Sequence, residues 1–232
     1  AETLRVVEAR DFGGDLLLKE VQERVIAVLR MAEALSPKYH VVVANPPYMG
    51  NGGMNAKLKA MLASQYTASK ADLMTAFIDR SQGITLKNGF ISSVTLDAWM
   101  FLSSFEKFRT KLLNNSSLSQ LTHIGWNCFP EGHTYNRGVA FVILNGRCNC
   151  TGDYINLADA SATTDKGELF LTKIEKKEQV SLGAQDFRSI PGTPIAYWLS
   201  GQLRSAFMSG KRINSIARAA KGLVTANNER FV

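Results

Sequence analysis

Histidine and cysteine are scarce in this 232-residue sequence, three of each, and that scarcity limits the chemistry first. Cys128, Cys148 and Cys150 are an odd number, and Cys148-Asn149-Cys150 has no second ligand pair at zinc spacing behind it. Reduced thiols are the expected state. His40, His123 and His133 are scattered, with no carboxylate or second histidine at ligand spacing, so no metal site is expected. Long hydrophobic runs are missing too. The apolar stretches fall well short of the roughly 18 residues of a membrane span, and the N-terminus lacks a basic-then-apolar signal pattern. The expectation is a cytoplasmic protein with no membrane partner. Proline is sparse, yet two of the six prolines are adjacent, Pro46 and Pro47.

What remains is ordinary globular composition, 45% hydrophobic and 20% charged, enough to bury a sizeable core. The formal net charge of +7 is unevenly spread. Residues 1–170 hold 17 Lys and Arg against 16 Asp and Glu, whereas residues 171–232 hold 10 against 4. A basic stripe in the last quarter suits a phosphate backbone, and it equally suits a solvated face.

Along the chain, Leu16 to Leu35 has the period of an amphipathic helix. After Ser36-Pro37, His40 to Ala44 is short, β-branched and apolar on both faces, the pattern of a central parallel strand. A flexible loop, Met49-Gly-Asn-Gly-Gly53, precedes helical patterns at about 54–65 and 71–86. Asn88-Gly89 is expected to turn the chain into a second strand, Phe90 to Thr95, and Ser103 or Ser104 to cap a helix through about Leu113. Leu118 to Trp126 and Gly138 to Leu144 read as two strands, plausibly antiparallel, with a loop between them. Beyond Gly146 the pattern weakens: a strand over Asp153 to Leu157, a polar loop over Ser161 to Asp165, a charged run over Lys173 to Glu178, a helix at about 196–209, then the basic segment. No internal repeat or low-complexity tract interrupts it. The fold class is α/β, with strands alternating with helices and ending in an antiparallel pair.

The apolar run Val41-Val42-Val43-Ala44 stops at Asn45-Pro46-Pro47-Tyr48. In an open α/β sheet, ligands bind where strands end at their carboxyl side. Two prolines remove two N–H donors and fix φ, so the loop is stiff and its carbonyls stay available. The Asn45 side-chain oxygen and the Pro46 carbonyl can accept the two hydrogens of an NH₂ group, while Tyr48 offers a flat face to its ring. Acceptors placed for a tetrahedral nitrogen would free the lone pair of an amino group such as adenine's for attack. A rigid strand-ending turn is the alternative. A given four-residue string arises by chance in roughly one chain in a thousand of this size, which favours the functional reading.

Asn45-Pro46-Pro47-Tyr48 resembles the catalytic motif of S-adenosylmethionine-dependent adenine-specific DNA methyltransferases. The likeness continues through Ser69-Lys70-Ala71-Asp72-Leu73, Ala76-Phe77-Ile78-Asp79-Arg80, Asn88-Gly89-Phe90-Ile91, Cys128-Phe129-Pro130 and Gly222 to Phe231. This succession is similar to the methyltransferases of BREX phage-resistance systems and of type IIG restriction-modification enzymes. The resemblance implies a Rossmann-like sheet and methyl transfer from S-adenosylmethionine to N6 of an adenine flipped out of double-stranded DNA. It implies that Asn45 and Pro46 hold the amino group, that Tyr48 stacks on the base with Phe129 over its other face, and that Asp72 and Phe77 approach the cofactor. A core role for Phe129 and plain helix packing for Phe77 are the structural alternatives.

Two departures from that family shape the expectation. No strand followed by a glycine-rich turn precedes the motif, and no acidic residue ends a second strand before it. The chain therefore reads as an internal piece, with the first strands of the sheet absent, weak or no cofactor binding on its own, and an exposed strand edge open to self-association. Residues 1–180 are expected to form part of a catalytic domain, and 181–232 a basic linker and the start of target recognition. Lys211, Arg212, Arg218, Lys221 and Arg230 are the candidate phosphate contacts, and other defence-system subunits the candidate protein partners. Two alternatives stand beside this reading: an RNA or protein-glutamine methyltransferase, and a non-catalytic DNA-binding module.

Overall fold

The computed structural model describes residues 2–128, 136–161, 163–211 and 213–217. It opens with α1 (Glu2–Glu8) and α2 (Leu16–Leu35). The Asp15 carboxylate caps α2 by accepting from the Leu17 and Leu18 amides. Gln22 ties the two helices together, its side-chain amide donating to the carbonyls of Val7 and Arg10. The expected apolar stripe of α2 is there, but Leu17, Val21, Val25 and Val28 are exposed.

Six strands form one mixed sheet in the order β1-β2-β4-β3-β5-β6. They are β1 (Tyr39–Ala44), β2 (Thr85–Leu96), β3 (Ser117–Gly125), β4 (Gly138–Leu144), β5 (Thr151–Asn156) and β6 (Val180–Gly183). β1 runs parallel to β2, and β4 is antiparallel to both β2 and β3. β5 is parallel to β3, and β6 antiparallel to β5. Strands β1, β2, β3 and β5 thus end on the same rim, where the loop entering β4 also lies.

Three expectations change here. The parallel strand β1 lies at the sheet's edge rather than its centre, with Val41 and Val43 exposed. The antiparallel pair β3–β4 lies inside the sheet rather than at its end, because β5 and β6 continue it. Asn88-Gly89 does not turn the chain. Asn88 takes a left-handed φ of 64° within β2, and the β1–β2 register slips between Tyr39 and Val41. A Cβ on Gly89 would come within 2.6 Å of the His40 carbonyl, so the pair makes a bulge that only glycine fits.

Helices α3 (Ala56–Gln65), α4 (Leu73–Ile84) and α5 (Glu106–Asn115) fill the crossovers, with short 3₁₀ turns at Asp97–Met100 and Ser103–Phe105. The core lies between the sheet and α4 and α5. Ile91, Leu121, Phe141 and Ile143 from the strands meet Met74, Ile78, Phe108 and Leu112 from the helices. Each fully buried side chain of this kind contributes about 1.5–3 kcal/mol. Trp99 stands at the centre, edge-on to Phe108 and Phe141 at 5.8 and 5.3 Å, and its indole N–H donates to the Thr95 hydroxyl.

The later part is more ordered than its pattern suggests. The charged run lies partly in α6 (Lys166–Glu175), and short α7 (Ala184–Arg188) follows β6. The boundary expected after residue 180 therefore falls within β6, and Ile195 and Tyr197 enter the main core. That insertion delays the last helix to α8 (Gly201–Ser209). Cys148 and Cys150, expected as reduced thiols, are brought side by side. Their Cα atoms lie 5.2 Å apart in the turn between β4 and β5, close enough for the sulfurs to pair.

Candidate active site

The strand-ending motif stands as its sequence suggests. Ala44 pairs with Ser93 at the end of β1, Pro46 is buried, and Asn45 and Pro47 are exposed. The Tyr48 ring packs against the main core, and its hydroxyl donates to the Asn45 side-chain oxygen at 3.0 Å, with the Val94 carbonyl at 3.4 Å. Burial, and next the neighbouring Cys128, push the phenol up to about 12. The hydroxyl therefore stays protonated and holds the Asn45 amide with its oxygen turned inward. That oxygen has a second lone pair for a ligand.

The loop beyond Tyr48 is pinned by Asp72. One carboxylate oxygen accepts from the Met49 amide at 3.2 Å and from the Met74 amide at 2.9 Å, so the same atom caps α4 and fixes the motif. Leu73 N–H donates back to the Met49 carbonyl at 2.9 Å. The support continues inward: Thr75 donates to the Ser69 and Asp72 carbonyls, Ser69 to Asp79, and Lys111 of α5 to both oxygens of Asp79. The Asn45–Tyr48 loop is thereby tied through α4 to the core.

A second cluster occupies the same rim, beyond β2. The Asp97 carboxylate accepts from Arg137 Nε and His123 Nε2, each at 2.8 Å, while His123 Nδ1 is hydrogen-bonded with the Tyr197 hydroxyl at 3.1 Å. The Arg137 guanidinium also lies over Trp126, 5.5 Å from its ring centroid. Lys166 donates to the Ile124 and Trp126 carbonyls, and burial lowers its ammonium from the ordinary lysine value. Both ends of the 126–137 connection are therefore held. Sequence reasoning missed this cluster, since its hydrogen-bonded partners lie 26 to 74 residues apart. The only local signal was a single aspartate at the end of a β-branched strand.

The Eco57I restriction-modification methylase family matches residues 16–129, which span the motif, its Asp72 clamp and β2. The chain is 34% identical over 211 residues to the adenine-specific methyltransferase PglX of Lacticaseibacillus casei (strain Zhang), covering 88% of this chain and 18% of that protein. It is 35% identical over 217 residues to the adenine-specific methyltransferase BrxX of Escherichia coli O9:H4 (strain HS), covering 91% and 17%. The chain is thus similar to restriction-modification methylases over residues 16–129 and to adenine-specific methyltransferases over most of its length. It spans less than a fifth of the length of these curated relatives. In fold it is similar to DrdV, solved in complex with DNA, with a TM-score of 0.52 and 13% identity over 75% of this chain and 20% of that one.

The remaining expected site residues fall as follows. Phe77 is 43% exposed on α4, outside the core. Lys211 is exposed beyond α8. Phe129, Arg212, Arg218, Lys221 and Arg230 lie outside the described residues. Among the described residues no cluster suits a metal ion, and no helix is long and apolar enough to cross a membrane.

Proposed function

We propose that the protein carrying this chain transfers a methyl group from S-adenosylmethionine to N6 of an adenine flipped out of double-stranded DNA, and that this chain holds the base. The observation that carries this is the Asn45 oxygen, oriented by Tyr48, beside the Pro46 carbonyl at the end of β1, in a chain similar to adenine-specific methyltransferases.

In this reading the two acceptors take the two amino hydrogens, and the pull is strongest once the nitrogen is tetrahedral. The lone pair, delocalised in the free base, becomes available without a strong base. The Tyr48 ring supports the base, and Phe129 closes over its far face. Asp72 and Phe77 are the residues of this chain that would face the methyl donor: Phe77 offers an open aromatic face, and the second Asp72 oxygen lies toward the open position beside Gly50. The bound donor supplies an electrophilic methyl on its sulfonium. Lys211, Arg212, Arg218, Lys221 and Arg230 contact phosphates outside the base pocket. The free β1 edge, with Val41 and Val43 outward, is the surface for self-association or for other defence-system subunits.

Base-resolved mapping of methylated adenine in cells tests the reading. Asn45→Ala removes one preorganised acceptor and should lower methylation by about 10²- to 10³-fold. Unaltered adenine methylation in DNA from the Asn45→Ala strain would remove it.

A further inference from the structure

Beside the motif, a cavity of about 520 Å³ opens on the same rim of the sheet. Its floor is the buried pair Asp97 and His123 with Arg137, and its walls include Phe101 and Trp198. Asn156 and Asp159 stand at the β5 side, joined by a 2.6 Å hydrogen bond. This volume is within the range of small-molecule sites, and its lining follows their pattern of aromatic walls with a few convergent polar groups.

The walls are stapled in place. Arg109 is 1% exposed and carries its guanidinium between two stretches of backbone. It donates to the Trp99 and Leu102 carbonyls on one side and to the Gly192 and Thr193 carbonyls on the other. Ile195 N–H adds a bond to the Met100 carbonyl at 2.9 Å. Residues 99–102 and 192–198 are thus held together, and Phe101 meets Trp198 edge-on at 5.2 Å and 62°. Trp198 also neighbours the His123 ring, with centroids 6.5 Å apart, yet it is 49% exposed although its neighbour Tyr197 is buried. A large aromatic held rigid and half exposed at a cavity mouth is a stacking platform.

Position and charge narrow the occupant. Tyr48 reaches the Val94 carbonyl, and Asp97 lies three residues further along the same chain, about 10 Å at ~3.3 Å per residue. Asp97 is shared between His123 and Arg137, so the floor is compensated. Among the described residues, Arg137 is hydrogen-bonded only through Nε, which leaves its Nη fork for an anion. An aromatic platform, a guanidinium fork and a rim carboxylate correspond to the base, the phosphate and the base-edge amino group of a nucleotide.

We propose that this cavity holds a nucleotide flanking the flipped adenine on the target strand, with its base on Trp198 and its phosphate on Arg137. The inference rests on the adenine-methylation reading above. Occupation here holds the strand on one side of the target, so that unstacking of the adenine is offset by restacking of its neighbour.

The test uses the whole protein that carries this chain and a duplex bearing the sequence it methylates. An abasic nucleotide is placed in turn at each of the two positions on either side of the target adenine. One such position should weaken wild-type binding by about 5- to 150-fold, the cost of one lost base–aromatic stack. Trp198→Ala should weaken binding to the intact duplex by a similar factor and be insensitive to that abasic position, whereas Trp198→Phe should keep most of the affinity and its sensitivity. Arg137→Gln should lower the salt slope of binding by about one phosphate. The proposal is overturned if no flanking abasic position matters to the wild type, or if Trp198→Ala loses as much from the abasic substitution as the wild type does. An unchanged salt slope in Arg137→Gln would take the phosphate away from Arg137. Failure of the underlying reading is seen separately, as undiminished adenine methylation in Asn45→Ala.

Discussion

Replacing Asp72 isolates the clamp that positions the Asn45–Tyr48 loop. In Asp72→Ala, the Met74 amide loses its cap and the Met49 amide loses a charged acceptor at 3.2 Å. A lost cap costs about 1 kcal/mol. A lost bond to a charged group costs about 1.5–3 kcal/mol, toward the lower end here because the site is half-buried. The sum is about 2–3 kcal/mol of stability. About half of it is local to residue 49, next to Tyr48, and if that share appears as loop displacement, methyl transfer falls roughly tenfold. Asp72→Asn keeps an acceptor oxygen and an equally good cap, so it should lose under about 1 kcal/mol. Thermal unfolding measures the first effect, and single-turnover methylation of a duplex measures the second. Equal losses in the Ala and Asn variants would refute the clamp. If Asp72→Asn raised KM for S-adenosylmethionine with kcat and stability unchanged, the second carboxylate oxygen would be acting on the cofactor as proposed, beside the clamp made by the first.

Three other outcomes follow from the same geometry. Tyr48→Phe keeps the ring but drops the hydroxyl that orients Asn45, so the methylation rate should fall about 3- to 10-fold with little change in DNA affinity; a Phe variant as fast as the wild type would show that the hydrogen bond is not the point. Arg109→Leu strands the carbonyls of Trp99, Leu102, Gly192 and Thr193 and should destabilise the chain by about 3–5 kcal/mol, read by denaturant unfolding. Burial raises Tyr48 to about 12 and raises Tyr154 and Tyr197 further, while unfolded tyrosine ionises near 10. The unfolded chain therefore releases protons that the native one keeps, and stability should be complete below pH 10 and fall as pH rises through it, less steeply in Tyr154→Phe.

Local signals were legible where their cause is local. The period of Leu16 to Leu35, the β-branched run before Asn45 and the antiparallel strands around the 127–137 loop all appear as elements of the type expected. Asn88-Gly89 misled, because the same left-handed backbone that closes a turn also makes a bulge, and only the neighbouring His40 carbonyl decides between them. The weak pattern after Gly146 hid β6 and α7, whose few residues are chosen by packing on β5 and the core rather than by period.

By itself, the sequence determined that a stiff Asn-Pro-Pro-Tyr loop ends a parallel strand, since proline geometry and strand propensity act within a few residues. Tertiary structure alone decided that β1 is an edge, that Asp72 grips Met49, and that Asp97, His123, Arg137 and Trp198 share one cavity. Those contacts depend on the order in which distant strands pair. Strand order is set by the burial of the whole core, and no short window of residues encodes it.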